Sequence, residues 1–215
     1  MKINFFLLLF VPAFYSTAQI REHYFPVWTF HQANANIHGL SVGIASGIHE
    51  PKNVVTNGVR VELFGLGILL PLIPQSPIAE TEERFREQLS EPPSEKVNGI
   101  ALSLTGTGCD CRVNGFTAGL IGQFLREVNG VSASYLSLVH SHKGAQLALV
   151  GSANYQMYGL QAGFVGNSSV RARGVQIGIY NEAKDLRGIQ IGVWNKNGRR
   201  SLPIINWQFK KAETT

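Results

Sequence analysis

Residues 174–195 read Gly-Val-Gln-Ile-Gly-Ile-Tyr-Asn, six spacer residues, then Gly-Ile-Gln-Ile-Gly-Val-Trp-Asn, so that one eight-residue unit is written twice. The same template, Gly-apolar-polar-apolar-small-apolar-x-(Asn/Gly/Ser), starts again at Gly159, Gly144, Gly130, Gly115, Gly99, Gly58 and Gly39, giving nine copies. From Gly99 onward the starts are separated by 16, 15, 14, 15, 15 and 14 residues. A fixed period of this kind is the signature of a stacked repeat array, in which each unit buries one face against the next.

Two all-β architectures accommodate the period. The first is a parallel β-solenoid of about 15 residues per coil; the alternative is an antiparallel outer-membrane-type β-barrel. Gln146, Gln161, Gln176 and Gln190 share the third position, and Asn181 and Asn195 share the eighth. Parallel, in-register stacking rewards such recurrence, because each amide can hydrogen-bond the one above it at ~4.8 Å. A barrel would turn positions two, four and six toward lipid, yet three apolar positions per copy are short for a spanning strand of ~9–11 residues. The spacers are also uniform, without the alternation of short turns and long loops that barrels show. The solenoid is the expected fold.

Alternation within one copy puts Val175, Ile177 and Ile179 on one strand face and Gln176, Gly178 and Tyr180 on the other. The apolar face is expected to be buried, and at ~1.5–3 kcal/mol per side chain it would drive folding. The glutamines and the small fifth position (Gly43, Gly119, Gly163, Gly178, Gly192, with Ser103, Ser134 and Ala148) then fall on the outer wall. The seventh position breaks this scheme, being Phe64, Ile121, Leu136, Val150, Val165, Tyr180 and Trp194. Either the chain tucks it in at a corner, or an apolar stripe is exposed as a membrane or partner contact.

Residues 1–18 combine Lys2, the run Phe5-Phe6-Leu7-Leu8-Leu9-Phe10-Val11, and Ser16 and Ala18 ahead of a cleavage point, the layout of a secretory signal peptide. Residues 19–38 carry a β-prone aromatic stretch expected to cap the first copy. The array fills 39–201, and 202–215 form a C-terminal cap and polar tail. An insertion at 67–97 interrupts the array. Its first half, Ile68-Leu69-Leu70-Pro71-Leu72-Ile73-Pro74, is apolar; its second, Ala79 to Ser90, suggests a short helix with Phe85 and Leu89 along one edge, stopped by Pro92-Pro93. Insertions in repeat arrays map to one face and often carry binding.

The chemistry-bearing residues are few. Cys109-Asp110-Cys111 reads as a local disulfide or two free thiols, since zinc wants about four ligands at a recognised spacing. His140-Ser141-His142 places two imidazoles on the same side of an extended segment and reads as a solvated loop. A carbohydrate-cleaving β-helix would need two carboxylates about 5–9 Å apart on one wall, and Glu182, Asp185, Asp110 and Glu127 do not recur in a way that supplies them. No nucleophile elbow, phosphate loop or zinc-helix motif is present. The reading is therefore of a non-enzymatic chain, with no catalytic, cofactor-binding or metal residue assigned. The formal charge is +5, but the basic residues are scattered except at Arg199, Arg200, Lys210 and Lys211, without the interleaved stripe of a nucleic-acid protein.

The units Gly174–Asn181 and Gly188–Asn195, closed by Leu202-Pro203-Ile204-Ile205-Asn206-Trp207, resemble the bacterial surface repeat-containing proteins built from G-x-Q-x-G-x-x-N units. The match is sharp over about 144–209 and fades upstream, where Ser, Thr, Ala or Arg replaces the Gln. The resemblance implies an exported or surface-associated repeat protein, a structural or binding scaffold in periplasm, outer membrane or cell surface. It carries over no catalytic residue. An envelope component, an extracellular protein or a glycan would suit such a scaffold as partner; nucleic acid would not. Signal-peptide processing predicts a mature chain beginning at Gln19, which N-terminal sequencing of the exported protein checks.

Overall fold

The structure is a computed structural model that describes residues 21–46, 52–73 and 76–209. Residues 1–18, where a signal peptide is expected, and the tail from residue 210 lie outside these. The chain winds as a parallel β-solenoid with a spacing of about 15 residues, not a barrel. Its strands are β1 (Glu22–Tyr24), β2 (Val27–Thr29), β3 (Ala35–Gly43), β4 (Val54–Glu62), β5 (Glu95–Ser103), β6 (Gly106–Gly163), β7 (Gly166–Ile177), β8 (Tyr180–Asn197) and β9 (Ser201–Gln208). β6 is one continuous extended run long enough to pass through several coils. Strand order along the stack follows the chain, from β1 on β3 to β9 on β8.

The first glycine of each copy sits on the first glycine of the copy before. Gly58 pairs with both Gly39 and Gly99, Gly99 with Gly115, and Gly174 with both Gly159 and Gly188. Glycine is required there on two counts. These residues have φ between +119° and +152°, which side-chain-bearing residues rarely adopt. In addition, a Cβ on Gly174 would stand 2.0 Å from the carbonyl oxygen of Gly159. At the start of the stack the Pro26 carbonyl takes the glycine's place, accepting from the Leu40 amide at 2.8 Å.

The insertion does not disturb this register, since β4 and β5 still align Gly58 with Gly99. It contains a 3-10 segment, Leu66–Leu72, and the helix α1, Glu82–Ser90. The Thr81 hydroxyl caps α1 by accepting from the Arg84 amide, and Glu82 and Glu83 lie in its first turn, where negative charge favours the helix dipole. The expected apolar edge forms, with Phe85 buried and stacked at 4.1 Å on Tyr155, and Leu89 packed alongside. Glu82 also pairs with Arg171 at 2.5 Å. The insertion is thus tied back onto the flank of the array.

Both ends are closed. β1 and β2 lie parallel on β3, aligning Glu22 with Ala35 and Val27 with Leu40. At the other end β9 runs antiparallel to β8, with Gln208 opposite Gly188. An antiparallel last strand with Pro203 in it offers no template for a further parallel coil.

The interior is the reverse of the sequence expectation. Third-position side chains point inward and are buried in all nine copies: Ser41, Arg60, Ala101, Thr117, Ser132, Gln146, Gln161, Gln176 and Gln190. The fifth position, expected on the outer wall, faces inward with them: Glu62, Ser103 and Ala148 are buried. The apolar part of the core includes the residue two before most of the glycines, Ile37, Val97, Val113, Val128, Met157 and Leu186, joined by residues such as Phe30, Val54, Leu125, Val139 and Tyr155.

Amide ladders make the polar interior tolerable. Gln176 donates to Gln161 at 2.7 Å, Gln190 to Gln176 at 2.8 Å, and Asn206 of β9 to Gln190 at 3.1 Å. A second ladder runs from Asn167 to Asn181 to Asn195, each step 2.8 Å. A third, half-buried ladder links Asn129, Asn114, Asn98 and Asn57, each the residue before a glycine, and ends on Asn36, three before Gly39, with steps of 2.8–2.9 Å. Alternation identifies two faces but not which is inside. Here the amides of the last coils find partners one coil away, while Gln146 bonds Ser137 and Asn154, and Gln123 bonds Thr117, nearer in the chain, which offsets the usual penalty for burying them.

Two substitutions test this inversion by urea denaturation followed by circular dichroism. Gln176→Met is expected to cost about 1–3 kcal/mol, because it removes both ladder bonds of Gln176 and leaves the Gln161 oxygen with only the Ser169 hydroxyl and the Gln190 amide with only the Lys196 carbonyl. Ile177→Asp, which a buried apolar face would not survive, is expected to cost less than about 1 kcal/mol, since Ile177 is 43% exposed.

Candidate functional site

The inversion leaves the apolar face of the array on the surface. The sixth position is exposed in every copy: Ile44, Leu63, Leu104, Leu120, Tyr135, Leu149, Phe164, Ile179 and Val193. Leu120 and Phe164 reach 71% and 70% exposure, values far from any core position. Beside this column runs the fourth position, with Leu102, Leu147, Ile177 and Ile191 exposed, and then the second, with Ile100, Phe116 and Val131 exposed. None of the twenty-seven residues in the three columns is charged, and only Tyr135 carries a side-chain polar atom.

The backbone explains why three columns share one plane. Positions two to four lie in a strand in every coil, and the strand runs on through position six in the copies starting at Gly115, Gly130, Gly144 and Gly188, so even-numbered side chains project from one side and parallel register stacks like on like. Where the fourth position shrinks to Ala118 and Ala133, the wall is hollowed into a groove of about 560 Å³ between Leu102, Leu104, Leu120, Tyr135 and Leu149. A second groove, of about 500 Å³, lies over Ala162 between Phe164, Ile179 and Val193.

The edges differ in chemistry. On the upstream edge the residue before the glycine changes along the stack from asparagine to Lys143, Tyr158, Arg173 and Arg187. Asp185 holds Arg173 at 2.5 Å, while Lys143 and Arg187 have no carboxylate partner among the described residues. On the downstream edge lies the seventh-position stripe. It is exposed rather than tucked in at Phe64, Val165, Tyr180 and Trp194. The 3-10 segment sits at the same corner, with Leu70 packed on Gly122 and with Ile68, Leu69 and Leu72 left exposed. The sequence reading separated these features because it assigned the wall to the interior; the seventh-position stripe was the signal that pointed outward.

The residues singled out for chemistry are not brought together. Cys109 and Cys111 form a disulfide with each other and are buried. The four carboxylates weighed for hydrolysis are each ion-paired: Glu182 with Lys196 at 2.8 Å, Asp185 with Arg173, Glu127 with Arg112 at 2.6 Å, and Asp110 with Arg126. His140 and His142 do not lie in a solvated loop. They face the interior, His142 with no exposure and its Nε2 2.9 Å from the Ser132 hydroxyl.

One cluster went unread in the sequence. Arg60 and Glu62 stand at the third and fifth positions of the second copy, where amides or small residues stand elsewhere, and both are buried. Arg60 bonds Glu95 at 3.1 Å and lies 4.0 Å over the Phe30 ring, while Glu62 accepts from the Ser46 amide at 2.8 Å and the Thr107 hydroxyl at 2.7 Å. Charges at inward positions were the available signal. The cluster stands in for the glutamine ladder in the N-terminal coils and is sealed from solvent.

Comparison of the chain with protein-family models, with curated proteins and with solved structures returns no match.

Burial lowers both His140 and His142 from 6.5 to about 4, so both imidazoles are neutral in the folded chain at neutral pH. The unfolded chain binds these two protons first. Stability is therefore expected to fall as pH drops from about 6.5 toward 4, by on the order of 2–3 kcal/mol per histidine. Denaturation midpoints measured across that range check the slope, and a His140→Leu, His142→Gln double variant is expected to flatten it.

Proposed function

We propose that this chain is an exported, non-enzymatic repeat scaffold of the bacterial cell envelope whose apolar wall is its binding surface. The observation that carries the reading is the exposure of the sixth-position column in all nine copies. Soluble monomers rarely present contiguous apolar patches of more than a few hundred Å², and larger ones mark interaction sites. The N-terminal signal-peptide layout supports export, and the G-x-Q-x-G-x-x-N units support kinship with surface repeat proteins.

Rigidity suits this role. The ladders, the glycine column and the strapped insertion hold the wall in one shape, so binding costs little ordering entropy. The insertion, first suspected as the contact element, spends Phe85, Glu82 and Leu89 on the array itself. Its remaining contribution is the apolar 3-10 segment at the wall's edge.

Fractionation of cells making the full chain tests the reading. The protein is expected in the envelope fraction, resistant to salt and released by detergent. A Leu120→Ser, Leu149→Ser variant is expected to shift several-fold toward the soluble fraction. A wild-type chain found wholly in the soluble fraction would overturn it.

A further inference from the structure

We infer that the occupant of the wall is the surface of a lipid bilayer, with anionic headgroups at its upstream edge. The inference rests on the scaffold reading above and names the partner. Its first support is composition. Contacts between proteins are about 56–65% non-polar even in homodimers, whereas this wall has one side-chain polar atom in twenty-seven positions. That degree of apolarity is what lipid-facing strands show.

Size and shape add to this. β2, the nine template strands and β9 stack at ~4.8 Å, so the wall is roughly 50 Å long and ~15 Å wide across positions two to six. Burying such a face a few ångströms deep is how interfacial amphipathic elements hold to membranes. Between the end strands, sheet hydrogen bonding is satisfied from coil to coil, so among the described strands only the outer edges of β1, β2 and β9 lack a strand partner.

The edges match the headgroup layer. Tyr180 and Trp194 line the downstream border of the last coils, each with part of its ring exposed, and amphipathic rings of this kind settle at the membrane interface. The upstream border carries Lys143 and Arg187, free of carboxylate partners among the described residues. Each such cation near an anionic surface strengthens binding. The apolar 3-10 segment, with Leu72 77% exposed, lies at the downstream corner and extends the apolar surface past the sheet.

Flotation of the purified mature chain with phosphatidylcholine vesicles, with and without phosphatidylglycerol, tests the inference. The protein is expected to float with both and to bind the anionic vesicles at least tenfold more tightly. Lys143→Gln with Arg187→Gln is expected to reduce that preference at least fivefold without abolishing flotation on phosphatidylcholine. A Leu120→Glu, Leu149→Glu, Phe164→Glu variant alters only exposed positions and is expected to keep the wild-type circular dichroism melt while no longer floating. If it does not fold, Leu149→Gln alone carries the comparison, with an expected loss of about fivefold.

Failure of the wild type to float, or flotation of the triple variant unchanged, would overturn the inference. Sedimentation provides the remaining outcome. A dimer that vesicles do not dissociate, and that the triple variant loses, would assign the wall to a second copy of the chain. That result would sink the lipid reading and leave the scaffold reading standing, since envelope retention in cells is measured separately.

Discussion

Successive coils approach so closely at their first residue that the carbonyl oxygen of one occupies the space where the next would place a Cβ, as at Gly174 over Gly159 and Gly188 over Gly174. No residue but glycine fits, and its positive φ bends the strand at the same point in every coil. A one-residue slip would put a side chain into that gap and turn every following side chain to the other face. The glycine column therefore sets the register, and the register sets which residues look inward.

Given that register, the interior is shared between two kinds of column. Apolar residues, among them those two before most of the glycines, supply the part that needs no partner, and glutamines and asparagines supply most of the part that needs one. A buried amide is costly alone and acceptable in a ladder, because the coil above and the coil below present the same group at hydrogen-bonding distance. At the N-terminal end, where the third position is not Gln, the Arg60, Glu62 and Glu95 cluster fills the space instead, with both carboxylates held by the guanidinium or by neighbouring donors. Breaking such a cluster by removing one partner is far costlier than lacking it, which makes these coils sensitive to single changes.

Turning the amides inward has the apolar wall as its consequence. The two follow from one strand geometry, since positions three and five cannot face the core without two, four and six facing out. The wall is therefore not an accident of a few exposed leucines. It is one side of a sheet whose other side is committed to ladders, and it places grooves, an aromatic border and a cationic border in one plane.

Sequence by itself determined the period, the parallel stack, the helix around Phe85 and the capping role of both ends, because these depend on spacing and local chemistry. The recurring Gln176 and Gln190 and the recurring Asn181 and Asn195 announced two ladders, whereas the repeated Asn-Gly at 57–58, 98–99, 114–115 and 129–130 carries a third that the sequence reading passed over. Tertiary structure decided which face of the strand is interior, and with it the location of the wall and the burial of His140 and His142. A period-two pattern is symmetric between its faces. Only the coil-to-coil pairing of amides, a contact between residues about fifteen apart, breaks that symmetry in favour of the polar side.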